Sequence, residues 1–291
     1  MKTAVSSQRS AVSDPFDLKA LEDSLRGSRF AGKVYFFPSI GSTNTYATEQ
    51  AEAGAPDGSV YFAEEQTDGR GRGAHTWESA AGAGLYVSVL LRPRLAPTDA
   101  LWLSLAAGLA VASAVRKVTS LEADLRWPND LLLGKRKFCG ILTELNAENP
   151  AQPASAPRTS ATSRVRHAVV GVGINVHQAK FPTQLREIAT SLSLETGREW
   201  PRQELLAALL QSLDSEVAAL TDSTEQAAQS ICRRLEAGST WIRGKRVRVE
   251  ERGDGEGGFA GVTDGLDARG FLRVRTPEGM RTVLSGGVRE N

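Results

Sequence analysis

Cysteine is scarce in this chain. Its 291 residues hold two, Cys139 and Cys232, too few for a disulfide framework at this length. Both stand in apolar or helical surroundings, where reduced thiols are expected. The three histidines, His75, His167 and His177, have no serine or cysteine beside them that would make a nucleophilic triad. Neither charge sign is in excess. Lysine and arginine total 35 against 34 aspartate and glutamate, a net charge of +1, so whole-molecule attraction to nucleic acid or to an anionic membrane is excluded. Long apolar runs are missing too. The longest uncharged stretch, Ala100 to Val115, falls short of the ~20 residues that span a bilayer and reads as a buried helix. Met1 to Asp14 is polar and lacks the apolar core of a secretion signal. Together these features predict a cytoplasmic protein with no membrane partner and no nucleic-acid partner.

The apolar pattern divides the chain in two. Residues 1–28 read as a polar tail and a short helix, entered at Asp14-Pro15, built on Leu18, Leu21 and Leu25 and stopped at Gly27. Residues 29–240 alternate strands and helices. Strands are expected at 34–37, 59–64, 85–91, 125–127, 131–133, 138–145 and 168–172, with the pair around Gly134-Lys135 forming a hairpin. Helices are expected at 42–52, 97–117, roughly 183–193, and within 201–238. Residues 146–166, rich in Ala, Pro, Ser and Thr, read as a mobile loop. From 241 to 291, short strand-like runs punctuated by glycine fit a small β-barrel. The larger unit is thus an α/β (α+β) domain with a mixed or mostly antiparallel sheet flanked by helices.

Four constellations carry chemistry. In Gln66-Thr67-Asp68-Gly69-Arg70-Gly71-Arg72-Gly73, alternating glycines let backbone fold tightly over a ligand. The two guanidiniums suit a carboxylate or phosphate. No Gly-Lys-Ser/Thr follows, which argues against a P-loop; a basic surface loop is the plainer reading. In Trp127-Pro128-Asn129-Asp130, stiff bulky residues aim Asn129 and Asp130 at one place, and Asp130 could hold magnesium or orient a lysine. Lys137 adjoins the apolar strand that follows, although Lys135, Arg136 and Lys137 also make an ordinary basic hairpin tip. Gly171-Val172-Gly173-Ile174-Asn175 is either a tight strand exit or a close approach of backbone to a nucleotide. Ser42-Thr43-Asn44 caps a helix and could also offer neutral donors and acceptors to a polar ligand head.

In this order, the pieces resemble the biotin–protein ligase family. The matching residues are Ser42-Thr43-Asn44, Gln66 through Arg72 with Trp77, Gly84 through Ser88, Trp127 through Asp130 with Lys137, Gly140 through Leu145, and Gly171 through Val176. The resemblance is strong over about 35–180, and Gly244-Lys245 through Gly286-Gly287-Val288 looks like the small barrel that ends many such enzymes. It implies a class II synthetase-like mixed sheet followed by an SH3-like barrel. It implies an ATP-dependent ligase that makes biotinyl-5'-adenylate and transfers biotin to a lysine of a biotin carboxyl carrier domain, such as that of acetyl-CoA carboxylase, and it leaves room for a homodimer. By the same resemblance, Ser42, Thr43, Asn44 and Gln66 would hold the biotin head, and Arg70, Gly71 and Arg72 would cover the adenylate. Lys137 would contact the biotin carboxylate and the reacting phosphate. Asn129, Asp130 and Asn175 would shape the nucleotide side. The catalytic residues would be Lys137, Arg70 and Asp130. Gly73-Ala74-His75-Thr76 departs from the family, whose members often carry another basic residue there. The stretch before the first core strand is too short for the DNA-binding domain that some members carry.

The chemistry such a reaction needs is charge neutralisation, because a carboxylate must attack the α-phosphate of ATP. Arg70, Arg72, Lys137 and Mg2+ are expected to supply it, with no covalent enzyme intermediate. The competing readings are a lipoate or octanoyl transferase, a catalytically inactive biotin-binding protein, and a nucleic-acid binder using the arginine loop and the basic run Arg243 to Arg248. Glu250, Glu251, Asp254 and Glu256 follow that run and oppose the last reading.

Overall fold

The computed structural model describes residues 16–73, 75–148, 164–250 and 258–291. The Asp14-Pro15 helix entry and the body of the 146–166 loop lie outside them. The described part of the first helix, α1 (Leu18–Ser24), is capped by Asp17, whose carboxylate accepts from the Ala20 amide at 3.0 Å. Leu21 and Leu25 are fully buried, as their spacing predicts.

Seven strands form the main sheet: β1 (Val34–Phe37), β2 (Ser59–Ala63), β3 (Gly84–Leu91), β4 (Asp124–Arg126), β5 (Asp130–Leu133), β6 (Arg136–Glu148) and β7 (Arg164–Asn175). Their order is β1-β2-β3-β7-β6-β5-β4. Only β1 and β2 are parallel, joined over α2 (Thr43–Glu52); the other neighbours run antiparallel. This is the mixed, mostly antiparallel sheet the sequence predicts. β6 and β7 extend into 146–148 and 164–166, which the sequence assigns to a loop. Their side-by-side ladder overrides the polar local composition there.

One sheet face buries Val60, Phe62, Val87, Val89, Val170 and Val172 in the main core, with α3 (Ala100–Thr119) across it. By length and apolarity α3 could cross a membrane. Here Trp102, Leu103, Leu105, Val111 and Val115 are buried within the core. The opposite face packs Tyr61, Leu90 and Val169 against Ala47 and Ala51 of α2.

The helix expected at 183–193 is replaced by a 3-10 turn at Thr183–Leu185 and a short α4 (Leu192–Thr196). The intervening backbone is taken by Lys137, whose N–H donates to Ile188 O at 2.8 Å while Thr190 N–H donates to Lys137 O at 2.9 Å. Ser191 then caps α4, its hydroxyl accepting from Leu194 N–H at 3.1 Å. The 201–238 stretch forms two helices, α5 (Arg202–Asp222) and α6 (Thr224–Gly238), separated by the extended backbone of Ser223.

A second, wholly antiparallel sheet begins at Arg243. It comprises β8 (Arg243–Glu250), β9 (Gly258–Leu266), β10 (Leu272–Thr276), β11 (Gly279–Val283) and β12 (Gly287–Glu290), in the order β11-β10-β9-β8-β12. It is anchored to the first unit, where Trp127 Nε1 donates to Gly270 O at 2.9 Å.

Candidate active site

A cavity of about 500 Å³ opens on the α2 side of the main sheet, and residues of both sheets line it. Its polar end is built on the start of α2. Ser42 is the helix cap. Thr43 donates to Gln66 Oε1 from both its amide (2.8 Å) and its hydroxyl (3.0 Å), and Gln66 Nε2 donates to Ser79 Oγ at 2.9 Å. Ser88 Oγ lies 2.8 Å from Thr43 Oγ1 and 2.7 Å from Asn44 Oδ1. Asn44 Nδ2 donates to Glu144 Oε2 at 2.8 Å. Ser42, Thr43, Asn44 and Ser88 are all buried, so these partnerships hold polar groups that water does not reach. Because Glu144 takes the amide nitrogen, the oxygen of Asn44 is fixed on the Ser88 side. Sequence reasoning gave no role to Ser88 or Glu144. The signal was present for Ser88, a polar residue in an otherwise apolar strand; β6 carries Arg136, Lys137, Thr143 and Asn146 as well, so Glu144 did not stand out.

The two glycines of the Gly-Val-Gly-Ile-Asn motif occupy the middle of β7, not a strand exit as the sequence allows. A Cβ at Gly171 would collide with the Asn44 amide, and one at Gly173 would come within 2.5 Å of Trp77 Nε1. They are bare so that these side chains can lie on the sheet. Gly140 serves the same purpose on β6, where a Cβ would meet the Trp77 ring at 2.9 Å. The indole N–H of Trp77 is buried and has no hydrogen-bond partner among the described residues. Asn175, expected near a nucleotide, lines the cavity and donates to Thr190 O at 3.0 Å, tying the 188–190 segment to the sheet.

Arg70, Arg72 and Lys137 all line this cavity, and each is held by a neighbour. The glycine-arginine loop folds back on itself: Gly71 N–H donates to His75 O and Trp77 N–H to Gly69 O, both at 2.8 Å. Arg70 pairs with Glu144 at 3.0 Å. Arg72 donates to Asn129 Oδ1 at 3.3 Å and to Gly286 O at 2.6 Å. Lys137 Nζ stands 2.5 Å from Asp130 Oδ1, and Arg126 donates to Asp130 Oδ2 at 2.7 Å. Burial opposes ionisation of Asp130, but the Lys137 ammonium and then the Arg126 guanidinium outweigh it and hold its carboxyl below the usual range. Cys139, two residues from Lys137, is fully buried and its thiol is pushed well up by desolvation, so it is no nucleophile.

Of the two roles open to Asp130, the structure places it as the partner of two cations. No group of three His, Cys, Asp or Glu residues suited to a metal occurs among the described residues. Magnesium needs no such group, since it is commonly held by one or two carboxylates together with substrate phosphates. The residues that sequence reasoning missed outright are those of the second sheet: Glu250, Gly287, Val288 and Arg289 line the same cavity from far beyond the last of the main motifs, which ends at Asn175.

The family model described as "Biotin/lipoate A/B protein ligase family" matches residues 36–175. A biotin--[acetyl-CoA-carboxylase] ligase of Mycobacterium tuberculosis is 35% identical over 284 residues, covering 95% of each chain. The bifunctional ligase/repressor BirA of Bacillus subtilis is 32% identical over 251 residues, 86% of this chain and 71% of the relative. Among solved structures, the biotin protein ligase from Aquifex aeolicus in complex with biotin and ATP superposes with a TM-score of 0.70 at 27% identity, covering 89% of this chain and 100% of that one.

Proposed function

Because the chain belongs to the biotin protein ligase family, we propose that it condenses biotin with ATP to biotinyl-5'-adenylate and transfers the biotin to a specific lysine of a biotin carboxyl carrier domain. The carrier domain of an acetyl-CoA carboxylase is the expected acceptor, in the cytoplasm. The observation that carries this reading is one cavity holding a dry cluster of neutral polar groups at one end, with Arg70, Arg72 and Lys137 among the cations around the rest.

The chemistry follows from that arrangement. Thr43, Asn44, Gln66 and Ser88 suit a small uncharged head with N–H and C=O groups. The apolar side chains of Trp77 and Leu142, both in the cavity wall, suit the ring and chain behind it. Lys137 is set to meet the carboxylate and the α-phosphate it attacks; Asp130 keeps the ammonium aimed. Arg70 and Arg72 sit on a loop that can exchange their internal partners for phosphate oxygens, and bidentate contact favours that exchange. The carboxylate oxygen attacks the α-phosphorus and pyrophosphate leaves. The acceptor amine then attacks the carbonyl and AMP leaves. A covered cavity protects the mixed anhydride from water between those steps.

The test is transfer of labelled biotin to a carrier domain, with and without ATP and with lipoate as competitor. ATP-dependent labelling that lipoate does not suppress is expected. Labelling without ATP, or preference for lipoate, would overturn the reading.

A further inference from the structure

The basic run Arg243 to Arg248 has no place in the cavity. Strand register shows where it goes. Arg246, Val262 and Arg275 lie side by side on β8, β9 and β10, with Met280 next to them on β11. In the adjoining row Arg248 lies between Arg289 of β12 and Ala260 of β9. Side chains of directly paired residues share one face of a sheet. The alternate residues Val247, Val249, Val274 and Val288 are buried, so this face points outward. Its four arginines are exposed, and they surround Val262 and Met280, which keep 36% and 43% of their surface exposed.

Among the described residues the carboxylates do not neutralise the face. Asp264 pairs with Arg243 at 3.1 Å and Arg275 at 3.2 Å, and Glu250 pairs with Arg289 at 2.8 Å. Arg246 and Arg248 have no ion pair among the described residues. Guanidiniums around an apolar centre are the composition of a protein-binding surface, since arginine is weakly hydrated and enriched at interfaces where lysine is depleted. One border of the face is the lip of the cavity, because Glu250, Gly287 and Arg289 line it. A protein whose lysine enters across that border lies over these strands.

We propose that the outer face of the second sheet docks the acceptor protein through a carboxylate-bearing surface beside its target lysine, an inference that rests on the ligase reading above. A single-stranded nucleic acid fits less well. Its bases need exposed aromatic platforms, and Phe259, the aromatic on the nearest strand, lies under the Arg281 guanidinium at 3.8 Å. Neither Arg246 nor Arg248 touches the cavity, so docking and chemistry are separable.

The experiment uses the full chain, its R246E/R248E and V262D variants, and an acetyl-CoA carboxylase carrier domain as acceptor. Biotin-dependent pyrophosphate exchange and biotin transfer to hydroxylamine report the chemistry without docking. Both variants should raise the KM for the carrier domain by about tenfold or more while exchange stays within about twofold of the parent. The parent's KM should rise with salt and that of R246E/R248E should not. Exchange intact with the carrier KM unmoved in both variants overturns the proposal. If charge reversal lowers exchange too, R246Q/R248Q decides by the same two readouts. Arginine-dependent binding of single-stranded DNA with an unmoved carrier KM also overturns it. Loss of exchange in the parent itself would instead sink the ligase reading.

Discussion

The guanidinium of Arg72 donates to the backbone carbonyl of Gly286 at 2.6 Å, across 214 residues of sequence. The glycine-arginine loop is thereby fastened to the second sheet, and the same guanidinium reaches Asn129, next to β5 of the main sheet. A loop held at both sides covers what lies beneath it.

Arg72→Gly should therefore release the adenylate early. With one charged contact gone, at about 1.5–3 kcal/mol, we expect the intermediate to leave roughly ten- to a hundredfold faster and to label unrelated amines. Measured retention of biotinyl-adenylate equal to the parent's would refute this role.

Lys137→Ala should cut biotin-dependent pyrophosphate exchange by more than ~100-fold, the scale of one preorganised contact to developing charge. The ammonium lies 2.5 Å from Asp130 and 5.2 Å from the Trp77 ring centre, so its position is set before substrate arrives. Exchange at parental rates would remove Lys137 from the first step.

Asp130 links the site to pH. Its folded-state pKa is depressed because Lys137 and Arg126 outweigh the opposing effect of burial. A depressed carboxylate stabilises the fold above its unfolded value and loses that contribution as pH falls toward the folded one. The stability gap between the parent and Asp130→Asn should be full at neutral pH and shrink only below about pH 4, the ordinary aspartate value. Denaturant midpoints taken from neutral pH down to about pH 3 check this, and a gap that closes well above the aspartate range would contradict it.

Gly171→Ala places a methyl group against the Asn44 amide. We expect the KM for biotin to rise by about tenfold or more, equivalent to about 1.4 kcal/mol, with the thermal midpoint little changed. A variant with parental biotin KM would show that Asn44 does not read the head group.

Arg202 is an anchor, not a site residue. Its side chain is 4% exposed, donates to both oxygens of Glu64 at 2.8 and 2.9 Å and reaches Gly84 O at 3.1 Å. Arg202→Ala leaves a largely buried carboxylate unpaired and should cost about 3–5 kcal/mol of stability. Calorimetric unfolding indistinguishable from the parent would show that water replaces the pair.

Most of the site was legible in advance, for local reasons. Ser42 caps a helix, Gly69 and Gly71 allow a tight fold-back, and the apolar alternation of 85–91 makes a strand whatever surrounds it. The same local reading left Gly171 and Gly173 open between a strand exit and a close backbone approach, and drew a helix through 183–193. In both cases a distant partner decided: Asn44 and Trp77 need bare backbone beneath them, and Lys137 claims the backbone at 188–190.

By itself the sequence determined which chemistries are available: three cations and a neutral polar cluster on motifs whose spacing fixes helix, loop and strand. Only the tertiary structure decided their partners. Glu144 against Arg70, Asp130 against Lys137, and Gly286 against Arg72 are pairings made by chain closure, and no periodicity encodes them. The same holds for the arginine face, where a plain basic run becomes a surface only once β8, β9, β10 and β12 are in register. Local propensity acts over a few residues, whereas pairing and burial depend on which distant segments the hydrophobic core brings together.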